Sequence, residues 1–276
     1  MGTLYVVATP IGNLEDVTLR ALRVLAEAAR VYAEDTRRTR ALLDRHQIAA
    51  RPRSLHAHNE AARSEEVLAH LDAGDDVALV TDAGTPLVSD PGERLVARVA
   101  EQGHDVVPIP GASAVLAALM AAGLAATPFA FLGFVPRKAG ERGARLAEWA
   151  KRSETLVLFE SPKRLPGTLR ELADHFGGDR PACVARELTK LHEEFARGSL
   201  DALALRFAEP PRGEITLVIE GAIAEAVRAE DLRPRISRAL AEGASARDIA
   251  ASLHAETGVP RRALYALVLE LKTGRD

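Results

Sequence analysis

One cysteine, one tryptophan and two methionines stand in a chain of 276 residues. A lone Cys183 excludes an intrachain disulfide framework, so stability must come from an apolar core, and a reducing cytoplasm is the expected compartment. The cysteine sits in the apolar run ACVA, which predicts a buried structural thiol rather than a nucleophile. No apolar run approaches the length of a membrane-spanning helix. Met1 leads directly into a strand pattern, not into a charged segment and apolar stretch, so neither membrane nor secretory leader is expected. An excess of positive charge is lacking too. Lys and Arg number 36 against 39 Asp and Glu, a net charge of −3, which argues against a protein coated for nucleic acid but leaves local basic patches open. There is no G-x-G-x-x-G, so a dinucleotide pyrophosphate site is unsupported. His56 and His58 form a His-x-His without further ligands in sight, so no metal is expected, and a loop pair ahead of a helix from Asn59 is the favoured account.

What is present is a sizeable apolar fraction, 47%, arranged as alternating strand and helix patterns. The chain is organised around residues 77–92, VALVTDAGTPLVSDPG. Its first four residues predict a strand buried on both faces, as in a parallel sheet. Gly84 then lets the backbone turn, Pro86 stiffens the exit, and Asp82 and Thr85 place polar groups at the strand's carboxyl end, where open α/β sheets bind ligands. Asp90 is the expected N-cap of the following helix, with Pro91 at its first position.

Similar loops recur along the chain. A strand at 4–8 runs into TPIGNLED, and a strand at 30–33 into EDTRRTR, where two acids precede three arginines. A short third strand precedes His56, and a strand at 106–109 ends in PGASA, whose small residues let a ligand approach the backbone. The helix that follows, VLAALMAAGL, is apolar all round and should be buried at an interface. The pattern resets near Thr127-Pro128. Strands are predicted at 129–134, 155–159, 182–186 and 214–220, a hairpin-like piece at 193–197, and helices at 142–152, 166–176 and 200–207. Helices at 246–256 and 261–272 around Gly258-Val259-Pro260 make a helix–turn–helix pattern. Three parts are expected: 1–124, 125–225 and 226–276.

The ordered segments ATPIGNLEDVTLRAL, AEDTRRTR, HNE, DAGTPLVSDPG, PGASA, FLGFVPRK, ESPKR, ARELTKLHEE and RGEI together resemble the bacterial ribosomal RNA small subunit methyltransferase I family. The resemblance spans residues 1–221, and more weakly the tail. It implies the tetrapyrrole-methylase fold group, or class III S-adenosylmethionine methyltransferases: two α/β domains, a small helix-turn-helix domain and a homodimer. The implied reaction is methylation of the ribose 2′-hydroxyl of a decoding-centre cytidine in 16S rRNA, with S-adenosylmethionine as cofactor. Carried over by motif, cofactor contacts fall on Pro10, Asp82, Gly84, Thr85, Ser89, Ser113 and Ala114. From the second domain they fall on Phe134, Ala185, Arg186, Gly213 and Thr216, the last two bounding a segment that should close over the cofactor. Polar groups that follow strands facing the same cleft mark Asp35 or Glu187 as base, with Lys190 or Arg38 holding phosphate or the developing oxyanion. Arg37, Arg38, Arg40, Arg137, Lys138, Lys163 and Arg164 are the candidate RNA backbone contacts. The rivals are a same-fold methyltransferase acting on a tetrapyrrole or a protein side chain, and a non-enzymatic nucleic-acid binder using the helix-turn-helix. The second rival leaves the strand-end loops unexplained.

Overall fold

The computed structural model describes residues 1–56, 58–223 and 229–273. They form two compact units, Met1–Ala222 and Ile223–Asp276. The expected boundary at 225/226 lies outside the described residues.

The first unit holds two five-stranded sheets. In the first sheet, β1 (Thr3–Val7), β2 (Arg30–Ala33), β3 (Pro52–Ser54), β4 (Val77–Val80) and β5 (Asp105–Ile109) are all parallel, in the order β3-β2-β4-β1-β5. Right-handed crossovers send leftward and rightward connections to opposite faces. Accordingly α1 (Leu19–Glu27) and α2 (Thr36–Arg45) bury Val24, Leu25, Leu42 and Leu43 against Val7, Ala78 and Val80. On the other face α3 (Glu60–Asp72) and α4 (Glu93–Glu101) bury Val67, Leu71, Leu95 and Val99 against Leu4, Val77 and Leu79. β4 feeds both cores through alternate side chains, which is why its four residues are all apolar and all buried. Each Leu or Val so buried contributes about 1.5–3 kcal/mol. The chain departs from β1 and β4, which are neighbours, toward opposite faces. The crevice between their ends is therefore the topological switch point, where ligands bind in such sheets.

From β5 the chain enters α5 (Ala114–Ala122), capped by the Ser113 hydroxyl, which accepts from Leu116 N. The second sheet follows as β6 (Phe129–Phe134), β7 (Thr155–Glu160), β8 (Pro181–Arg186), β9 (Glu194–Ser199) and β10 (Ile215–Ile219). Its order is β6-β7-β10-β8-β9, with only β6 and β7 parallel. One face, carrying Leu156, Leu158, Val184 and Leu217, packs on α6 (Ala139–Trp149), α7 (Leu165–Phe176) and α8 (Leu200–Arg206). The other, carrying Val157, Cys183, Ala185 and Val218, packs on α5. The apolar helix is thus half accounted for: Val115, Ala118, Leu119 and Ala122 are buried, whereas Leu116 and Met120 stand exposed.

Two local expectations are corrected. α4 starts at Glu93 with Gly92 at φ +114 as its cap, not at Pro91 with Asp90. Leu87 and Ser89 also take positive φ, folding the loop back on its own strand so closely that a Cβ on Gly92 would lie 2.8 Å from Leu79 Cδ2. Asp90 is thereby turned away from the helix. α6 begins at Ala139 rather than 142 and ends at Trp149, where the indole is buried in the core.

The second unit contains α9 (Arg233–Ala241), α10 (Ala246–Thr257) and α11 (Arg261–Thr273) around a core of Ile236, Ile249, Leu253, Leu264 and Val268. Ser245 caps α10, Gly258 ends it at φ +70, and α11 follows after Pro260.

Candidate active site

The loops after β1 and β4 meet at the switch point. Thr9 and Gly84 exchange two backbone hydrogen bonds, each 2.9 Å, as a single antiparallel bridge between otherwise parallel strands. The turn needs glycine, because Gly84 has φ +77 and a Cβ there would stand 3.1 Å from Ile11 Cγ2. Thr85 Oγ1 donates to the carbonyl of Ala112, tying the third loop to the first two.

Beyond this bridge lies a cavity of about 380 Å3 shared by both sheets. From the first sheet it takes Gly84, Thr85, Ser89, Ser113 and Ala114, and from the second Phe134 and Thr216. These are seven of the twelve residues expected at the cofactor. Thr216 reaches it because β10 alternates, with Ile215 and Leu217 in the outer core and Thr216 on the α5 side. Phe134 is 55% exposed at the mouth, its ring 5.6 Å from that of Phe159, which also lines the cavity. Ile11, Val88, Val115 and Leu188 complete apolar walls, as in most small-molecule sites.

The other five expected contacts are not on the wall. Pro10 precedes the lining Ile11, and Ala185 is fully buried in the core beneath. Asp82 Oδ1 accepts from Asp35 N at 2.7 Å, and Oδ2 lies 3.8 Å from Arg38 Nε. Arg186 donates to Glu194 and to the carbonyl of Arg212. Gly213, at φ +98, leaves room for Glu187, since a Cβ would lie 2.3 Å from Glu187 Cγ.

The three expected catalytic groups are held in other contacts. Asp35 caps α2 by accepting from Arg37 N, and its carboxylate receives the Arg37 side chain. Those hydrogen bonds hold its pKa down at about 2. Glu187 Oε1 accepts from Lys190 Nζ at 2.8 Å and from Glu214 N at 3.0 Å, bonds that hold its carboxyl below the usual range. Lys190 Nζ also reaches Glu214 Oε2 at 2.8 Å. Burial alone would lower the lysine, but the two carboxylates outweigh it and raise its pKa. The segment is a clasp between the sheets: Asn13 N donates to Thr189 Oγ1, and Gly12 is covered by the Lys190 stem. Glu187 and Thr189 both take positive φ, strain that a fixed surrounding must sustain.

Sequence reasoning missed two acids on the cavity lining, Asp90 and Glu160, whereas Glu214 falls inside the segment expected to close over the cofactor. Asp90 was hidden because it looked like a helix cap. Burial raises its pKa, the Thr81 hydroxyl opposes this, and the Asp82 charge adds to it. Glu34 behind it is raised likewise, by burial and then by Asp82 and Asp90. Glu160 stood in a quoted motif, ESPKR, without a role. Its fully buried carboxylate accepts from Ser161 N at 2.7 Å and Thr168 Oγ1 at 2.6 Å.

Of the expected RNA contacts, Arg37 pairs with Asp35, Arg38 with Asp82 and Arg40 with Asp44. Arg137 and Lys138 are exposed at the start of α6, and Lys163 and Arg164 line a second concavity at the start of α7. Among the described residues no group of three His, Cys, Asp or Glu is placed to hold a metal ion.

Comparison with known proteins fits this arrangement. Residues 3–204 match the family described as Tetrapyrrole (Corrin/Porphyrin) Methylases. A uroporphyrin-III C-methyl transferase from Thermus thermophilus, solved in complex with S-adenyl homocysteine, shares the fold. Its TM-score is 0.55 at 24% identity, over 79% of this chain and 97% of that one. The ribosomal RNA small subunit methyltransferase I of Synechocystis sp. is 46% identical over 99% of both chains. That of Mesorhizobium japonicum is 47% identical over 98% of this chain and 92% of its own. With identity at this level along nearly its whole length, the chain belongs to the ribosomal RNA small subunit methyltransferase I family of the tetrapyrrole methylases.

Proposed function

We propose that this protein methylates the ribose 2′-hydroxyl of a cytidine in the decoding centre of 16S rRNA, using S-adenosylmethionine. The observation that carries it is convergence. Loops at 84–90, 113–114, 134 and 214–216, distant in sequence, line one cavity at the switch point. The residues there suit the cofactor. Phe134, Phe159 and Leu188 offer apolar surface for a flat nucleobase, while Thr85, Ser89 and Ser113 offer hydroxyls for a ribose and an amino-acid group.

When bound, the cofactor supplies a methyl group already activated on a sulfonium. The protein's task is then to align the acceptor oxygen and to exclude water. A 2′-hydroxyl is a weak acid, so a carboxylate beside it assists by taking its proton. Asp35 and Glu187 remain the proposed bases from motif position, and Asp90 joins them as the cavity acid without an ion-pair partner among the described residues. Lys190, between Glu187 and Glu214, is proposed to hold the clasp through which either carboxylate is presented. Arg37, Arg38, Arg40, Arg137, Lys138, Lys163 and Arg164 are proposed for the RNA backbone.

The proposal includes the three-part division 1–124, 125–225 and 226–276, a cytoplasmic location and a homodimer. No helix among the described residues is long and apolar enough to cross a membrane. Met120, 87% exposed beside Leu116 on α5, supports a partner chain covering that face.

The deciding experiment is transfer of labelled methyl from S-adenosylmethionine to isolated small ribosomal subunits, followed by nucleoside analysis. Label in 2′-O-methylcytidine is the expected result. Cofactor binding without label in RNA would favour a tetrapyrrole or protein substrate.

A further inference from the structure

The turn from β7 to α7 faces two ways. Glu160, Ser161 and Pro162 line the cleft cavity, and the next two residues, Lys163 and Arg164, line an open basin of about 490 Å3. The basin is walled by Arg142 of α6, the first half of α7 through Glu171, and Ala208 and Pro210 on the way to β10. Four cationic side chains therefore surround it against one carboxylate, Glu171. That carboxylate is already neutralised, because Arg142 grips it through both Nε and a terminal nitrogen.

The remaining three cations divide by role. Arg164 is pinned: it donates to the carbonyls of Val135 at 2.9 Å and Pro136 at 3.1 Å, and lies 3.4 Å from Glu160. Lys163 and Arg170 are exposed and have no hydrogen-bond or ion-pair partner among the described residues. The wall between basin and cavity is rigid, since Glu160 binds Ser161 N on one side and the Thr168 hydroxyl on the other. An anion in the basin is thus held at a fixed offset from a substrate in the cavity.

We propose that this basin binds the phosphodiester backbone of the RNA strand beside the nucleotide undergoing methylation, with Lys163 and Arg170 as the contacting cations. The inference rests on the RNA-methylation function. It adds Arg170, gives Lys163 a site and withdraws Arg164 from the backbone contacts, since Arg164, like Arg142, is held in the wall. The basin is open to solvent, as a continuous strand requires, and its free charges come from long side chains that can follow a phosphate backbone.

The test compares the full chain with Lys163→Ala/Arg170→Ala on small ribosomal subunits over a range of salt. KM should rise about tenfold, and the slope of log KM against log salt should fall by about 1.4, as for two lost single-strand phosphate contacts. The cofactor dissociation constant and melting temperature should stay at the unsubstituted values. Lys163→Arg/Arg170→Lys should restore the slope. An unchanged KM and slope in the double alanine variant would overturn the basin, as would a parallel loss of cofactor binding. If the unsubstituted protein labels no RNA, methylation itself fails. The basin is then judged by binding of a short single-stranded RNA, which must weaken in the double variant. Tight binding of inorganic phosphate, lost in the variant while RNA binding persists, would make the basin a small-anion site and overturn the proposal.

Discussion

Gly84 concentrates the residue-scale constraints of the cleft: positive φ, a two-bond bridge to Thr9, and Ile11 against its open side. Gly84→Ala should cost roughly 1–2 kcal/mol for the left-handed backbone alone and should weaken cofactor binding further, as read by thermal unfolding and titration calorimetry. The carboxylates make a second residue-scale case. Asp35 has a folded pKa of about 2, below its unfolded value near 4, so the stability it contributes is present above pH 4 and lost as pH falls from there toward 2. Acid unfolding of Asp35→Asn should lose that part of the pH dependence. Asp90 behaves oppositely. If it accepts the proton of the 2′-hydroxyl, kcat/KM should rise with pH through a midpoint above the ordinary aspartate value, and Asp90→Asn should abolish that limb. A limb that survives the substitution would remove Asp90 as the base.

At the scale of elements, β4 is the member that both helical layers of the first sheet share. Leu79→Ala should destabilise by about 2–5 kcal/mol, measurable by denaturant unfolding, because Leu79 is buried in the core beneath α3 and α4 and its loss leaves a cavity there. β4 was legible in the sequence because a strand buried on both faces is an uninterrupted apolar run. The beginning of α4 was not. Asp90-Pro91 has the composition of a helix start, but contact of Gly92 with Leu79 delays the helix by two residues and frees Asp90 for the cavity. Local propensity lost to packing between residues far apart in the loop and strand.

Across the whole molecule, Leu116 and Met120 on α5 are an apolar surface left exposed among the described residues. Met120→Glu should leave unfolding of the monomer nearly unchanged while shifting sedimentation equilibrium from dimer toward monomer. Retention of one oligomeric state in both proteins would remove α5 from the interface. The clasp of Asn13, Thr189 and Lys190 also belongs to this scale, since it joins residues nearly the full unit apart. Its elements looked in the sequence like separate polar loops, each equally able to supply a catalytic group.

The sequence by itself determined the alternation of strands and helices, the parallel first sheet, the reset near Thr127 and the family, because these follow from periodicity and ordered motifs. It also named the loops that reach the cavity, since strand carboxyl ends are where such loops must lie. Only the tertiary structure decided which side chains within those loops face the ligand. Hydrogen bonds with Arg37, Lys190 and Glu194 turned Asp35, Glu187 and Arg186 toward partners of their own, and the β10–β8 register set Thr216 at the cavity while burying Ala185 beside it. The basin between α6 and α7 likewise exists only in the folded chain. Its charges are spread from Arg142 to Arg170, and pairing of Arg142 with Glu171 is what separates wall from contact.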